Sequence, residues 1–142
     1  MKNEISCGVV AVIKNKGVYN TLVIHQASGN HWTLCKGHIE LSDANNLETA
    51  KRELLEEVNL TVKEWLFDGK TFENNYTFTR HSQIVSKRNI FYCGLIANES
   101  ELKKQDTEIL DYKWLDFKSA IALLTWDTDK QVLQQVLQQL TS

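Results

Sequence analysis

The segment from residue 47 to residue 60 carries two stripes of side chains if it forms a helix. At about 100° per residue, Leu47, Ala50, Leu54 and Val58 cluster on one side. This spacing predicts a helix over 47–58 that packs its apolar side against a hydrophobic core. The rest of the chain must supply that core.

Runs of β-branched and aromatic residues surround this helix. Residues 5–13 and 21–25, joined by a polar turn, predict a hairpin. Further strands are predicted over 31–35, 64–67, 72–79, 89–97 and 111–115. A short helix is predicted over 117–124, and a terminal amphipathic helix over 128–140, with Thr128 or Asp129 as its N-cap. The mixture favours an α/β fold.

Composition narrows the class of protein further. The chain has 142 residues, 42% of them hydrophobic and 24% charged, which predicts a single globular domain over 1–142. Sixteen Lys and Arg against eighteen Asp and Glu give a net charge of -2, which argues against a general nucleic-acid or membrane-surface binder. Cys7, Cys35 and Cys93 include no CxxC pair and predict reduced thiols in a cytoplasmic protein.

The second stripe of the helix is acidic. Glu53, Glu56 and Glu57 are spaced at i+3 and i+4, so their carboxylates repel one another unless a cation lies among them. A hard divalent cation such as Mg²⁺ prefers such oxygen ligands. A solvated acidic face would give the same pattern. Arg52 can also be interpreted in two ways. It either orients one of these glutamates or is solvated.

This segment resembles the Nudix box. The family pattern runs Gly, five residues, Glu, seven residues, then Arg-Glu-U-x-Glu-Glu-x-Gly-U, where U is bulky and aliphatic. The run from Arg52 to Leu60 matches every defined position but one, where Asn59 replaces glycine. Asparagine tolerates the left-handed backbone expected after a helix end, so the resemblance predicts that conformation there.

The first half of the box is less regular. Counting from Gly37, Asp43 stands where the pattern has glutamate, and eight residues separate it from Arg52. The chain contains no proline, and Cys35 stands before Lys36 where relatives hold one. We therefore expect packing and bound metal to fix this loop, because no proline restricts its φ angles.

A narrower resemblance links the chain to the asymmetrical diadenosine tetraphosphate hydrolases. The runs Trp-Thr-Leu-Cys-Lys-Gly-His at 32–38 and Leu-Glu-Thr-Ala at 47–50 are similar to theirs. Tyr76, Lys87 and Glu108 match their adenine-stacking tyrosine, a lysine that faces the phosphates and an additional glutamate ligand. Asp106 and Asp111 lie close enough to Glu108 to compete with it for that role.

The resemblance implies a Nudix-like α/β/α sandwich with a central mixed sheet, a catalytic helix and a C-terminal helix. It implies a monomer that uses Mg²⁺, with Mn²⁺ as an alternative. The implied catalytic residues are Glu56, which we expect to activate water, Glu53 and Arg52. Substrate binding falls to Lys36, His38, Tyr76 and Lys87, and metal binding to Gly37, Glu53, Glu56, Glu57 and Glu108.

The implied activity is hydrolysis of diadenosine tetraphosphate to ATP and AMP by a metal-activated water. Three alternatives stay open: a pyrophosphohydrolase of RNA 5′ ends, which would make nucleic acid a partner, a pyrophosphatase of nucleoside triphosphates or sugar nucleotides, and a non-catalytic nucleotide-binding domain. The intact glutamates of the helix argue against the last of these.

Overall fold

The computed structural model describes all of residues 1–142. Eight strands and three α-helices make up the fold. The strands are β1 Lys2–Asn15, β2 Val18–Gln26, β3 His31–Thr33, β4 Cys35–His38, β5 Val62–Trp65, β6 Thr71–Arg80, β7 Gln83–Ile96 and β8 Ile109–Asp116. The helices are α1 Asn46–Val58, α2 Phe117–Leu123 and α3 Asp127–Leu140. None of the helices is long and apolar enough to cross a membrane.

The eight strands form one mixed sheet centred on a parallel pair. Residues 2–12 of β1 run beside residues 85–95 of β7. On its other side β1 pairs first with β4 and then with β2, both antiparallel. Strand β2 also pairs with β3 and β8, and β7 pairs with β6 and β5. The predicted mixed sheet is therefore confirmed.

Helices cover both faces of this sheet. On one face, Ala50, Leu54 and Val58 of α1 pack against buried residues such as Val9 and Ile24. On the other face, α2 and α3 pack against Val10, Val12 and their neighbours. Successive residues of a strand point to opposite faces, so β1 serves both cores and is buried throughout its middle. The α/β/α sandwich is confirmed.

The strand predicted over 89–97 begins six residues earlier, at Gln83, and two further predicted strands also differ from the structure. The strand predicted over 31–35 is two strands, because the chain leaves β2 after Thr33 and pairs with β1 from Cys35 onward. The strand predicted over 64–67 ends at Trp65 instead. Phe67 and Asp68 have φ values of 58° and 54°, a left-handed conformation that cannot continue a strand.

The predicted N-cap of the terminal helix is also wrong. The cap position of α3 is Trp126, and no side chain caps the helix. Thr128 and Asp129 lie inside the first turn. Asp129 is buried and accepts a hydrogen bond from Asn74 instead of capping the helix.

Candidate functional site

Strand β4 and helix α1 place the predicted box residues side by side. Gly37 pairs with Cys7 and His38 with Ser6, so β4 is held by the central strand. The side chain of Asn45 accepts a hydrogen bond from the amide of Glu48 and caps α1. The helix ends at Asn59, whose φ of 58° and ψ of 36° confirm the predicted left-handed conformation.

Arg52 is the centre of the polar contacts at the start of this site. Its Nη1 donates to Glu53 Oε1 at 2.9 Å and to both Glu56 oxygens at 3.2 Å. Its Nη2 donates to the carbonyl of His38 at 2.9 Å. Its Nε and Nη2 each reach one oxygen of Asp43 at 3.0 Å. Arg52 therefore orients two of the predicted catalytic glutamates and joins them to β4.

Asp43 fixes the loop between β4 and α1. Besides Arg52, it accepts hydrogen bonds from the Thr49 hydroxyl at 2.8 Å and from the Glu40 amide at 2.9 Å. The hydrogen bonds from Arg52 are the main reason that the pKa of Asp43 lies far below its usual range. A short acid in a loop without proline is thus held by four donors, which limits the freedom of the backbone.

Glu57 is a buried carboxylate with an unpartnered oxygen. The residue is 8% exposed, and its Oε1 has no hydrogen-bond partner. Burial, followed by the negative charge of Glu53, raises the pKa of Glu57 to about 8, although Lys36 acts in the opposite direction through its charge and its backbone amide. Glu108, on the exposed turn before β8, raises this pKa further. A buried carboxylate oxygen without a partner requires an explanation.

The residues around Glu57 offer oxygen donors to a divalent cation without forming a complete set of ligands. Glu53 lies against Gly37 so closely that a Cβ at that position would overlap with its carboxylate. Burial raises the pKa of Glu53, and Arg52 partly opposes this. No three acidic, histidine or cysteine side chains converge at ligand distances, because Glu53 and Glu56 face Arg52. The unpartnered oxygen of Glu57 and the close approach at Gly37 are what a cation would use.

A basic cluster lies beside β4. Lys87 is 7% exposed, with its Nζ 3.5 Å from His38 Nε2 and 3.9 Å from Glu4 Oε1. Burial and the positive charge of Lys36 lower the pKa of Lys87 to about 8. Glu4 also binds Arg80 through two hydrogen bonds of 3.0 Å, which lower the pKa of Glu4 to about 2.

A cavity of about 700 Å³ opens between β6 and the start of α3. Tyr76, Phe78, Trp126 and His31 supply its aromatic walls, and Lys36 also lines it. Tyr76 is paired with Lys87 in the β6–β7 register, so this cavity adjoins the basic cluster. The predicted residues Lys36 and Tyr76 therefore line one cavity. The predicted residues His38 and Lys87 lie in the basic cluster beside it.

Sequence reasoning missed several residues of this region: Glu4, Arg80, His31, Trp126 and Asp129. Period-2 alternation along β6 could have shown that Arg80 shares a face with Tyr76. No signal in the sequence places Glu4 or Asp129, because their partners lie 76 and 55 residues away.

The profile of the NUDIX domain matches residues 2–136. The chain therefore belongs to the Nudix family. It is 29% identical over 135 residues to Nudix hydrolase 6 of Arabidopsis thaliana, covering 89% of this chain but only 44% of that protein's length. It is 28% identical over 116 residues to the asymmetrical bis(5′-nucleosyl)-tetraphosphatase of Sus scrofa, covering 80% of this chain and 76% of that protein.

Solved structures share the fold. A binary complex of the C. elegans Ap4A hydrolase superposes with a TM-score of 0.74 at 20% identity, covering 97% of this chain and 98% of that one. The NUDIX domain of Shewanella oneidensis NrtR, complexed with ADP ribose, gives a TM-score of 0.78 at 14% identity and covers 99% of this chain and 90% of that one. These likenesses agree with the sandwich described above.

Proposed function

We propose that the chain is a Mg²⁺-dependent hydrolase that cleaves diadenosine tetraphosphate to ATP and AMP. The observation that carries the proposal is Glu57, a buried acid with an unpartnered oxygen that interacts through its charge with Glu53 and with the basic residue Lys36. Acidic groups that suit a cation and basic groups that suit phosphates thus lie next to one aromatic cavity. The likeness to the porcine tetraphosphatase supports the choice of substrate.

Glu53, Glu57 and the carbonyl of Gly37 would hold the cation, with Glu56 and Glu108 as additional acidic groups. When bound, Mg²⁺ supplies charge for phosphate oxygens and lowers the pKa of a water molecule. Arg52 fixes Glu53 and Glu56 through its Nη1, so their carboxylates are oriented before substrate arrives. Glu56 is 56% exposed at its side chain, which leaves it accessible to accept a proton from an attacking water.

The remaining side chains would bind the polyphosphate and one nucleoside. Lys87 Nζ and His38 Nε2 lie 3.5 Å apart, close enough to contact one phosphate group together, and Lys36 lines the cavity. Tyr76, which is 37% exposed, offers a ring on which adenine can stack. Because bound cations and three basic groups surround the phosphates, the net charge of -2 does not oppose binding of a polyanion.

A substrate panel tests this proposal. Initial rates would be measured with diadenosine tetraphosphate, capped RNA, nucleoside triphosphates and sugar nucleotides, each with Mg²⁺ and with EDTA. We expect the highest kcat/KM for diadenosine tetraphosphate and no turnover in EDTA. A higher value for another class would reassign the substrate, and turnover in EDTA would contradict the metal-dependent mechanism.

A further inference from the structure

Three buried polar side chains form a ladder that ends at the aromatic cavity. Asn89 on β7 donates from Nδ2 to Asn74 Oδ1 at 2.7 Å, and Asn74 on β6 donates from Nδ2 to Asp129 Oδ1 at 3.2 Å. The three residues are 0%, 5% and 3% exposed, in that order. Asp129 lies in the first turn of α3 and lines the cavity.

The chemistry of Asp129 fixes the direction of this ladder. Although burial raises the pKa of Asp129, its Oδ1 is the acceptor in the hydrogen bond with Asn74, which turns its amide nitrogen toward it. The oxygen of Asn74 then faces Asn89, which must donate in turn. Each amide therefore has one orientation, and every hydrogen bond of the ladder points toward Asp129.

The second oxygen of Asp129 is free to contact a ligand. Oδ1 accepts from Asn74, whereas Oδ2 accepts no hydrogen bond from the protein. The fully buried oxygens without partners belong to Glu57 and Asn89 only, so Oδ2 of Asp129 keeps access to the cavity that the residue lines. Water can satisfy this acceptor in the open cavity, and a ligand that displaces the water must supply a donor in its place.

The walls of the cavity define the shape of that ligand. Trp126 lies 5.5 Å from His31 between ring centroids, and Tyr76 lies 6.1 Å from Phe78. The flat aromatic walls suit a flat ring on the ligand. The acceptor of Asp129 suits an N–H group on the edge of that ring, and Lys36 suits an anion attached to it. A nucleotide whose base carries an exocyclic amino group combines these three properties.

We propose that Asp129 is a specificity-determining residue that accepts a hydrogen bond from the exocyclic amino group of adenine, with Asn74 and Asn89 as positioning residues. This inference rests on the proposed function, because it places the adenosine end of the substrate in this cavity. A base with a carbonyl oxygen at the same position would face the carboxylate oxygen and bind more weakly.

The substitution Asp129→Asn removes the acceptor that orders this ladder. The amide at position 129 can then present either its oxygen or its NH₂ group to the cavity, because Asn74 is no longer held in one orientation. We therefore expect the variant to lose the preference for an amino group over a carbonyl group.

Binding of AMP and IMP by calorimetry tests the inference without depending on turnover. We expect wild-type protein to bind AMP at least about tenfold more tightly than IMP, and Asp129→Asn to bind the two with similar affinity. Asp68→Asn is the control, because it removes the same charge from an exposed side chain that does not line the cavity. The preference of this control should stay that of wild type.

Equal affinities of the wild type for AMP and IMP would overturn the inference, and this result is decisive even if Asp129→Asn does not fold. A parallel loss of preference in Asp68→Asn would also overturn it, since a general effect of the lost negative charge would then be the cause. Equal affinities together with normal hydrolysis of diadenosine tetraphosphate would leave the proposed function intact. Absence of both hydrolysis and AMP binding would contradict the proposed function as well.

Discussion

Gly37 on β4 and Glu53 on α1 are in such close contact that no side chain fits between them. A Cβ at position 37 would overlap with the carboxylate of Glu53. The absence of a side chain at position 37 therefore lets the backbone of β4 lie directly against the acidic stripe of α1.

The substitution Gly37→Ala should separate these two elements. We expect kcat/KM to fall by about 100-fold, because a displaced catalytic group loses much of its contribution to turnover. Steady-state kinetics measure the effect. Gly17→Ala is a control for backbone strain, since Gly17 has a φ of +80° and no atom within 4 Å of an added Cβ. Equal activity losses in the two variants would contradict a specific role for Gly37.

Replacing Glu57 should lower turnover without lowering the thermal stability of the protein. With a pKa of about 8, Glu57 is largely protonated at neutral pH without metal, so Glu57→Gln replaces one neutral buried group by another and we expect a nearly unchanged Tm in the absence of metal. Turnover should fall by about 100-fold or more, because a neutral amide is a weaker ligand for a divalent cation. The increase in Tm that saturating Mg²⁺ gives the wild type, equivalent to about 2.7 kcal/mol at 100 times Kd, should disappear.

Glu48→Gln is the matched control for this substitution, since Glu48 lies on the same helix with its side chain 46% exposed. We expect wild-type kinetics and a wild-type response to Mg²⁺. If Glu57→Gln itself retained wild-type turnover, the assignment of the metal site to α1 would be wrong.

Asp43 should be needed for activity although it contacts no substrate in the proposed site. Asp43→Asn weakens the paired hydrogen bonds to Arg52, so Arg52 no longer holds Glu53 and Glu56 firmly. We expect about a tenfold loss of kcat with little change in KM, measured beside Glu64→Gln, which removes an equal charge from an exposed strand position. A loss confined to KM would indicate a different role for the loop.

The lowered pKa of Lys87 predicts that substrate binding depends on pH. Its pKa of about 8 lies below the usual value for lysine, so its positive charge is lost as pH rises through 8. One unit above that pKa only about a tenth of the free protein keeps the charge, so KM for the polyphosphate should rise up to about tenfold at pH 9. Lys87→Arg stays charged, and its KM should rise much less over the same range. Identical pH profiles would show that Lys87 does not carry the effect.

The sequence predicts local features of this protein well where the physical cause is local. The apolar stripe of α1 predicts the helix, and the position of Asn59 after the helix predicts its left-handed conformation, which the structure confirms. The acidic stripe is likewise visible because its members are only three or four residues apart.

Contacts between distant residues are not predicted in the same way. The parallel pairing of β1 with β7 joins residues more than 80 positions apart, and it is this pairing that brings Glu4 to Lys87. Asp129 was interpreted as a helix cap because its local position permits that role. Its actual partner, Asn74, lies on a strand that folds against α3, and no periodicity in the sequence indicates that contact.

Analysis of the products of diadenosine tetraphosphate hydrolysis tests the central proposal most directly. Purified protein would be incubated with the substrate and Mg²⁺, and the nucleotides separated by chromatography over a time course, with an EDTA sample alongside. We predict equimolar ATP and AMP with Mg²⁺ and intact substrate with EDTA. Intact substrate in the presence of Mg²⁺, or ADP as the sole product, would contradict the proposed reaction.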